Sequence, residues 1–497
     1  MSISVVRRLR HQPLSACVSA ILMLSAPLAE ATTSWTVNTC DEVNAGSGTV
    51  GSLRYAAANA VSGDTIDMSA LTCSTISLTT GSGGAIVLPQ ADITLIGPGK
   101  DMLAIESSDD RVLRHDPVGG MLTIKDLTVA NGYLHPSVGS SADGGCIRSN
   151  GKVYLSHVAV RSCRASAVGA PARGGGIYAL SDVFAKYSDI TGNVAIHTGG
   201  GNGGGGGIYT PGLAGVIGPD DPSSQVILAG STLSGNSAPS GSGGGLHASH
   251  SVSVIASTIS RNTAVFGGGI YAQDNLGSAS DTFALLNSTV SGNFATSRVG
   301  GAQTNAGTIH VYNSTVAFNT AGSATDSGSR HFAPGFAISD SGSDFSDPAN
   351  PKFKTVTLQS SIFSNNSYAN PVITPDDIGV IKFAPSSVNS TPTSGGNNLA
   401  FATQWIGLEP TVTTDVCPQL ESLRNNGGPT QTHALHRGSP AIDAGNTFAT
   451  GIGIFDQRSS PFARVSGAAA DAGAYETQQG DGIFDNGFDA PPTCQSG

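Results

Sequence analysis

Three pairs of adjacent aspartates stand out as residues able to do chemistry: Asp109-Asp110, Asp220-Asp221 and Asp376-Asp377. Two carboxylates can divide the roles of acid and base at a glycosidic bond. Arg111 follows the first pair directly, so Asp109, Asp110 and Arg111 are the nearest thing to the acid-plus-base cluster of a lyase. Each pair also has a plainer reading. Asp220-Asp221 sits in "GPDDP", the composition of a solvated turn, and Asp109 to Arg111 reads equally as a surface turn with its own ion pair. No catalytic residue is assigned on this basis. Asp109, Asp110, Asp220 and Asp221 are the candidates an enzyme would have to use.

Other chemistries find less support. His115, His157, His197, His250 and His310 show no metal-ligand spacing, and no C-x-x-C, H-E-x-x-H or G-x-S-x-G occurs. "GGGNGGGGG" (199–207) precedes no helix and lacks a lysine, so it reads as a flexible corner and not a phosphate cradle. No metal or cofactor is expected, and calcium is supported by no motif.

A second group of residues is recognised only through repetition. "YSDITGNVA" (187–195), "GSTLSGNSA" (230–238), "ASTISRNTA" (256–264), "NSTVSGNFA" (287–295) and "NSTVAFNTA" (313–321) are variants of one phrase. A partner phrase reads "GGGIYA" (174–179), "GGGIYT" (205–210), "GGGLHA" (243–248) and "GGGIYA" (267–272), more loosely "GGCIRS" (144–149) and "GGAQTN" (300–305). The two phrases keep a constant separation except where polar loop text intervenes, as at 211–224 and 274–280. Short alternating runs such as "SVSVIAS" (251–257) lie between them, with no helical period. Stacked rungs with loops on one side produce this pattern. The expected fold is all-β, a right-handed parallel β-helix solenoid with a short N-terminal capping helix and a C-terminal cap.

Each repeated letter then gains a role. Ile177, Ile208, Leu246 and Ile270 form one inward column, and Val160, Ile190, Leu233, Ile259, Val290 and Val316 another. Asn193, Asn236, Asn262, Asn293 and Asn319, continued by Asn365, form an amide ladder at a turn where Asn tolerates left-handed backbone. The glycine triplets mark a corner that admits no Cβ. The residue after the first inward column points outward, giving Arg148, Tyr178, Tyr209, His247, Tyr271 and Thr304. Tyr178, Tyr209, His247 and Tyr271 make a ring-bearing stripe roughly 15 Å long. Such rings can stack against sugars, and they are the candidate ligand-binding residues. Equally, stacked rings stabilise neighbouring strands.

The remaining text bounds the context. Arg7, Arg8, Arg10 and His11 precede an apolar run that ends at Ala29-Glu30-Ala31, the form of a signal peptide over 1–31. A secreted or cell-surface chain without a transmembrane segment is expected, and a monomer. The net charge of −11 argues against nucleic acid as partner. Cys40, Cys73, Cys146, Cys163, Cys417 and Cys494 remain after the leader; disulfides are expected, Cys40 with Cys73 first, the other pairing open. Residues 32–90 read as N-terminal cap and first coils, with "SLRYAAANA" a short helix N-capped by Ser52, and 91–422 as the repeats.

The repeat phrases resemble the GGA[IL] and FxxN repeats of polymorphic outer-membrane proteins, and more broadly the pectin-lyase-like β-helices. "LRNNGGPTQTHALHRGSPAIDAGN" (423–446), "DQR" (456–458) and "DAGAYE" (471–476) resemble the terminal block of the choice-of-anchor Q family, here spanning 423–477. That resemblance implies an extracellular β-helix with a final cap, in which Asp443, Asp456 or Asp471 pairs Arg458. The acidic tail 478–497 carries "IFDNGFD", which resembles a sorting signal of exported bacterial proteins. A β-helix glycosidase resembling polygalacturonase would carry N-T-D, D-D, G-H-G and R-I-K blocks, and only D-D occurs. The expected function is therefore a structural and adhesive module binding glycans or surfaces. The alternative is a polysaccharide lyase or glycoside hydrolase.

Overall fold

The computed structural model describes residues 32–201, 203–212, 224–273, 281–322, 333–339, 355–370, 376–381, 393–402, 412–447, 453–479, 481 and 492–494. Asp220, Asp221, the leader 1–31 and most of the tail lie outside them. The described chain is a parallel β-helix with three walls. One coil shows the order. Lys152–Ser156 lies in the first wall and Ala159–Arg161 in the second; Ile177–Ala179 lies in the third, and Val183–Lys186 returns to the first one coil later. The walls hold 14, 12 and 10 strands among the described residues, and every coil-to-coil pairing is parallel and in register at the apolar columns.

The inward columns superimpose as the repeats predict. Val160 pairs Ile190, then Leu233, Ile259, Val290 and Val316 follow in turn; Ile177, Ile208, Leu246 and Ile270 do the same in the third wall. All ten are fully buried, and no single coil could bury them alone. Where the third wall narrows to Ala302, Phe283 and Phe336 fill the space, with ring centroids 5.7 Å apart.

Two polar ladders tie the corners. The first is the expected asparagine ladder. Asn193 Nδ2 donates to Asn236 Oδ1 at 2.9 Å and to the Val160 carbonyl one coil back at 3.0 Å; Asn236, Asn262, Asn293 and Asn319 repeat both bonds. The next member is Asn366, not Asn365. Phe363, not Ile362, stacks on Val316, so the count of three residues ends one position later. Asn365 does have the left-handed backbone, φ +58°. In each coil the left-handed residue precedes the ladder amide, as at Gly192, Gly235, Arg261 and Phe318. The ladder asparagines are kept for their side chains and not for their backbone angles. The column ends on Asp377, whose Oδ1 accepts from Asn366 N and Nδ2 at 2.9 and 2.8 Å.

The second ladder was not read from the sequence. The serine of each S-T-V phrase accepts the backbone N–H of the matching serine one coil earlier, through Ser188, Ser231, Ser257, Ser288, Ser314 and Ser361. Each hydroxyl also donates to the carbonyl two residues back. Serine supplies one donor and two acceptor sites in the smallest volume, which suits a fully buried corner.

A fourth stack of eight strands stands beside the third wall, from Tyr133–Leu134 to Ser367–Tyr368. In the early coils it is the outgoing half of a narrow fin. Arg164–Val168 runs out, turns at exposed Gly169, and Ala172–Arg173 returns to the glycine corner. Ala142, Ala165, Ala167 and Ala172 pack between the two halves. The corner glycines sit where these halves meet the wall; a Cβ on Gly175 would lie 2.4 Å from backbone of Val194 and Gly206.

At the N-terminal end, Leu53–Asn59 forms the expected helix. Ser52 caps it by accepting Tyr55 N–H at 3.1 Å, and Leu53, Ala56 and Ala57 bury against the first coil. The disulfides are Cys40–Cys73, as expected, with Cys146–Cys163 and Cys417–Cys494. The terminal block does not sit over the last coil. It lies along the outer face of the second wall: Thr258 Oγ1 donates to Gln431 O, Thr289 Oγ1 to Gln457 Oε1, and Ala474 N to Thr315 Oγ1. The cap is lateral because Thr258, Thr289 and Thr315, at one position of successive S-T-V phrases, point outward and offer it hydroxyls. Within it Arg458 pairs Asp456 at 2.7 Å, both fully buried, between the rings of Phe462 and Tyr475.

Candidate functional site

The outward column of the third wall runs Val87, Arg114, Arg148, Tyr178, Tyr209, His247, Tyr271 and Gln303. Gln303 takes the place expected for Thr304. The 300–305 phrase has only two glycines; Gly300 and Gly301 align with Gly268 and Gly269, so Ala302 faces inward and Gln303 outward. The four ring residues stack in order, Tyr178 on Tyr209 at 5.9 Å and 6° between planes, then His247 at 4.5 Å and Tyr271 at 5.1 Å.

These rings are not an open platform. Arg173 on the returning half of the fin lies over Tyr178 and Tyr209, at 5.4 and 5.9 Å from their centroids. Asp143 one coil earlier holds that guanidinium with two bonds, at 2.7 and 2.9 Å. Tyr178 is left 7% exposed and Tyr209 9%. Burial raises both phenol pKa values and pushes His247 down to about 4, so the stack is uncharged at neutral pH. Rings of this burial act first as wall-to-fin packing.

Open space lies at the N-terminal end of the same column, where the fin begins. A cleft of about 420 Å³ is lined by Asp110, Arg111, Arg114, Asp143 and Arg148 together with the smaller Gly83, Ala85, Val87 and Ser141. Arg114 and Arg148 are there because two consecutive coils place an arginine at the outward position; Arg111 enters from the turn before Leu113–His115. Asp116 pairs Arg114 at 2.7 Å and approaches Arg148 at 3.6 Å. Asp110 is fixed by backbone N–H groups of its own loop and of the coil before, accepting Arg111 N at 2.7 Å and Ala85 N at 3.1 Å. Arg111 differs from its neighbours: among the described residues its guanidinium makes no ion pair within 4 Å and no hydrogen bond. Burial, then the nearby Arg148, lowers its pKa to about 10, which leaves it cationic at neutral pH.

The sequence candidates therefore separate. Asp110, Arg111 and Arg148 come together at the cleft, and Asp109 does not line it. Asp109 turns to Thr80, accepting its N–H at 3.1 Å and its hydroxyl at 2.8 Å. Those bonds hold its carboxyl below the usual range, the wrong direction for a proton donor. Asp376-Asp377 is buried at the far end of the molecule, where Asp377 ends the ladder. Arg114 and Asp143 were missed; carrying the outward column one coil back from Arg148 reaches Arg114. Among the described residues, no group of three or more His, Cys, Asp or Glu side chains is placed to hold a metal ion, and no helix is long and apolar enough to cross a membrane.

No family model, curated protein or solved structure matches the chain.

Proposed function

We propose that the protein is an exported structural and adhesive module that binds a glycan in the cleft at the head of the third wall. One observation carries this reading: the cleft is walled by fixed polar side chains on a rigid coil stack, while its carboxylates are already engaged. Asp143 is spent on Arg173 and Asp110 on two backbone N–H groups, an arrangement that binds and orients but holds no acid and base in readiness. Three disulfides suit an extracellular setting. The terminal block's resemblance to choice-of-anchor Q proteins supports the same setting. A β-helix by itself argues for no activity.

The test is the mature chain, beginning at Thr32, on a glycan array, with the bound polysaccharides then assayed for unsaturated or reducing ends. Saturable binding without new ends is expected. Product formation lost in D110N establishes the lyase or hydrolase instead, and an array without any ligand leaves a purely structural spacer.

A further inference from the structure

We infer that the cleft selects a carboxylated saccharide, one uronate carboxylate being received by Arg111 with Arg148 beside it. The inference rests on the glycan-binding reading for its polymer and on local charge for its specificity.

The charges around the cleft are nearly balanced but unevenly satisfied. Asp116 serves Arg114 and Arg148, and Asp143 serves Arg173. Arg111 is the cation left over, half-buried, with its guanidinium at the cleft wall. Asp110 and Asp143 act on its charge through space without touching it, so it is a partly desolvated cation without a contact partner, and a buried charge is tolerated best when matched. Its planar fork matches a carboxylate with two parallel bonds.

The other wall groups fit the rest of a uronate. Ser141 adds a hydroxyl to the lining, and Ala85 and Val87 add small apolar side chains that the C–H face of a sugar can meet. A densely charged polyanion fits less well. Two carboxylates line the cleft and the chain as a whole carries −11, so a ligand with one planar charge per ring and hydroxyls between is favoured over a sulfated or phosphorylated one. The column beyond the cleft continues as stacked, uncharged rings beneath Arg173, which confines the charge recognition to the open end.

The experiment uses the mature chain with four polymers and one monomer: alginate, ester-blocked alginate, dextran sulfate, neutral dextran and free glucuronate. Alginate and glucuronate are expected to bind saturably, with esterification lowering affinity at least tenfold. R111M should lower it by a similar factor and R111K by less, because a lysine keeps the charge and loses the fork. R148M serves as a second variant, and circular dichroism confirms that each folds. Equal binding of ester-blocked or neutral polymer, unaffected by R111M, overturns the carboxylate and leaves glycan binding standing. Equal binding of dextran sulfate, lost in R111M, overturns the carboxylate in favour of general anion capture. Glucuronate bound through Arg111 with no polymer bound keeps the inference and removes the adhesive reading. No binding of any probe removes both.

Discussion

Cys146 and Cys163 are joined at the two positions that later coils fill with glycine and asparagine. A Cβ placed on Gly176 would lie 3.0 Å from Asn193 Cγ, and Gly207 and Gly245 meet Asn236 and Asn262 at 3.1 Å. The disulfide is thus the first rung of the amide ladder in another chemistry. Cys163 N still donates to Asn193 Oδ1 at 3.0 Å, and Gly132 N, one coil back, turns to Cys146 Sγ at 3.3 Å.

This equivalence predicts a rescue. C146A/C163A should lose about 3 kcal/mol, the scale for a loop of this length. C146G/C163N should recover part of that loss, because the new amide offers an acceptor to Gly132 N. Urea denaturation of the three proteins measures it; a double variant no better than C146A/C163A would falsify the equivalence.

Ladder asparagines inside the stack should be costly to remove. N262A strands the Leu233 carbonyl and both donors that reach Asn262 from Asn236. Each buried orphan costs about 1–3 kcal/mol, so a loss of about 3 kcal/mol or more is expected in denaturant melts. N365A, at a half-buried left-handed turn outside the ladder, should cost less than N262A in the same melts.

The end of the ladder should respond to pH. Burial pushes the Asp377 carboxyl up to about 7, against the three N–H groups it accepts from Asn366 and Ala402. A carboxyl whose pKa rises on folding gives stability that is complete below about pH 4 and lost as pH rises through about 7. Amide exchange at Asn366 and Ala402, corrected for intrinsic rates, should accelerate from pH 5 to pH 8. D377N should flatten that dependence.

The lateral cap should loosen on a single change. Gln457, fully buried, links Thr258, Thr289 and Thr430. Q457A should cost about 2–3 kcal/mol and expose the block to limited proteolysis while the coils stay protected. Cleavage indistinguishable from wild type would show that the block is held elsewhere.

Replacing the ring stack should weaken the fold before it touches recognition. Y209A removes a ring held between Tyr178 and His247 and should cost about 3 kcal/mol, with glycan affinity at the cleft retained in the folded fraction. Affinity lost without a change in stability would return the binding role to the rings.

What the sequence displayed, and what it hid, follows from how each feature repeats. Leu233, Ile259 and Val290 recur within near-identical phrases, so their stacking could be counted directly. Counting failed by one residue at Asn365 and Thr304, where a phrase starts with Ser-Ile-Phe or lacks a glycine and two alignments compete. The serine ladder was visible in every phrase but reads as ordinary turn composition. The fin has no signature, because its alanines and glycines vary from coil to coil. The cleft joins a turn residue, Arg111, to wall residues contributed by separate coils, and only Arg148, with Arg114 one coil back, could be placed there from spacing alone.

Each ladder amide accepts from the coil before it and donates to the amide of the coil after it, with a bare N–H at Cys163 and the carboxyl of Asp377 closing the line. Because every interior member makes the same bonds in the same sense, duplicating or deleting a whole turn would leave the ladder's own bonds unchanged, and only the contacts of the lateral cap along the second wall would have to be matched anew. The cap, and not the ladder, therefore sets the number of turns, and the head-end cleft lies outside both.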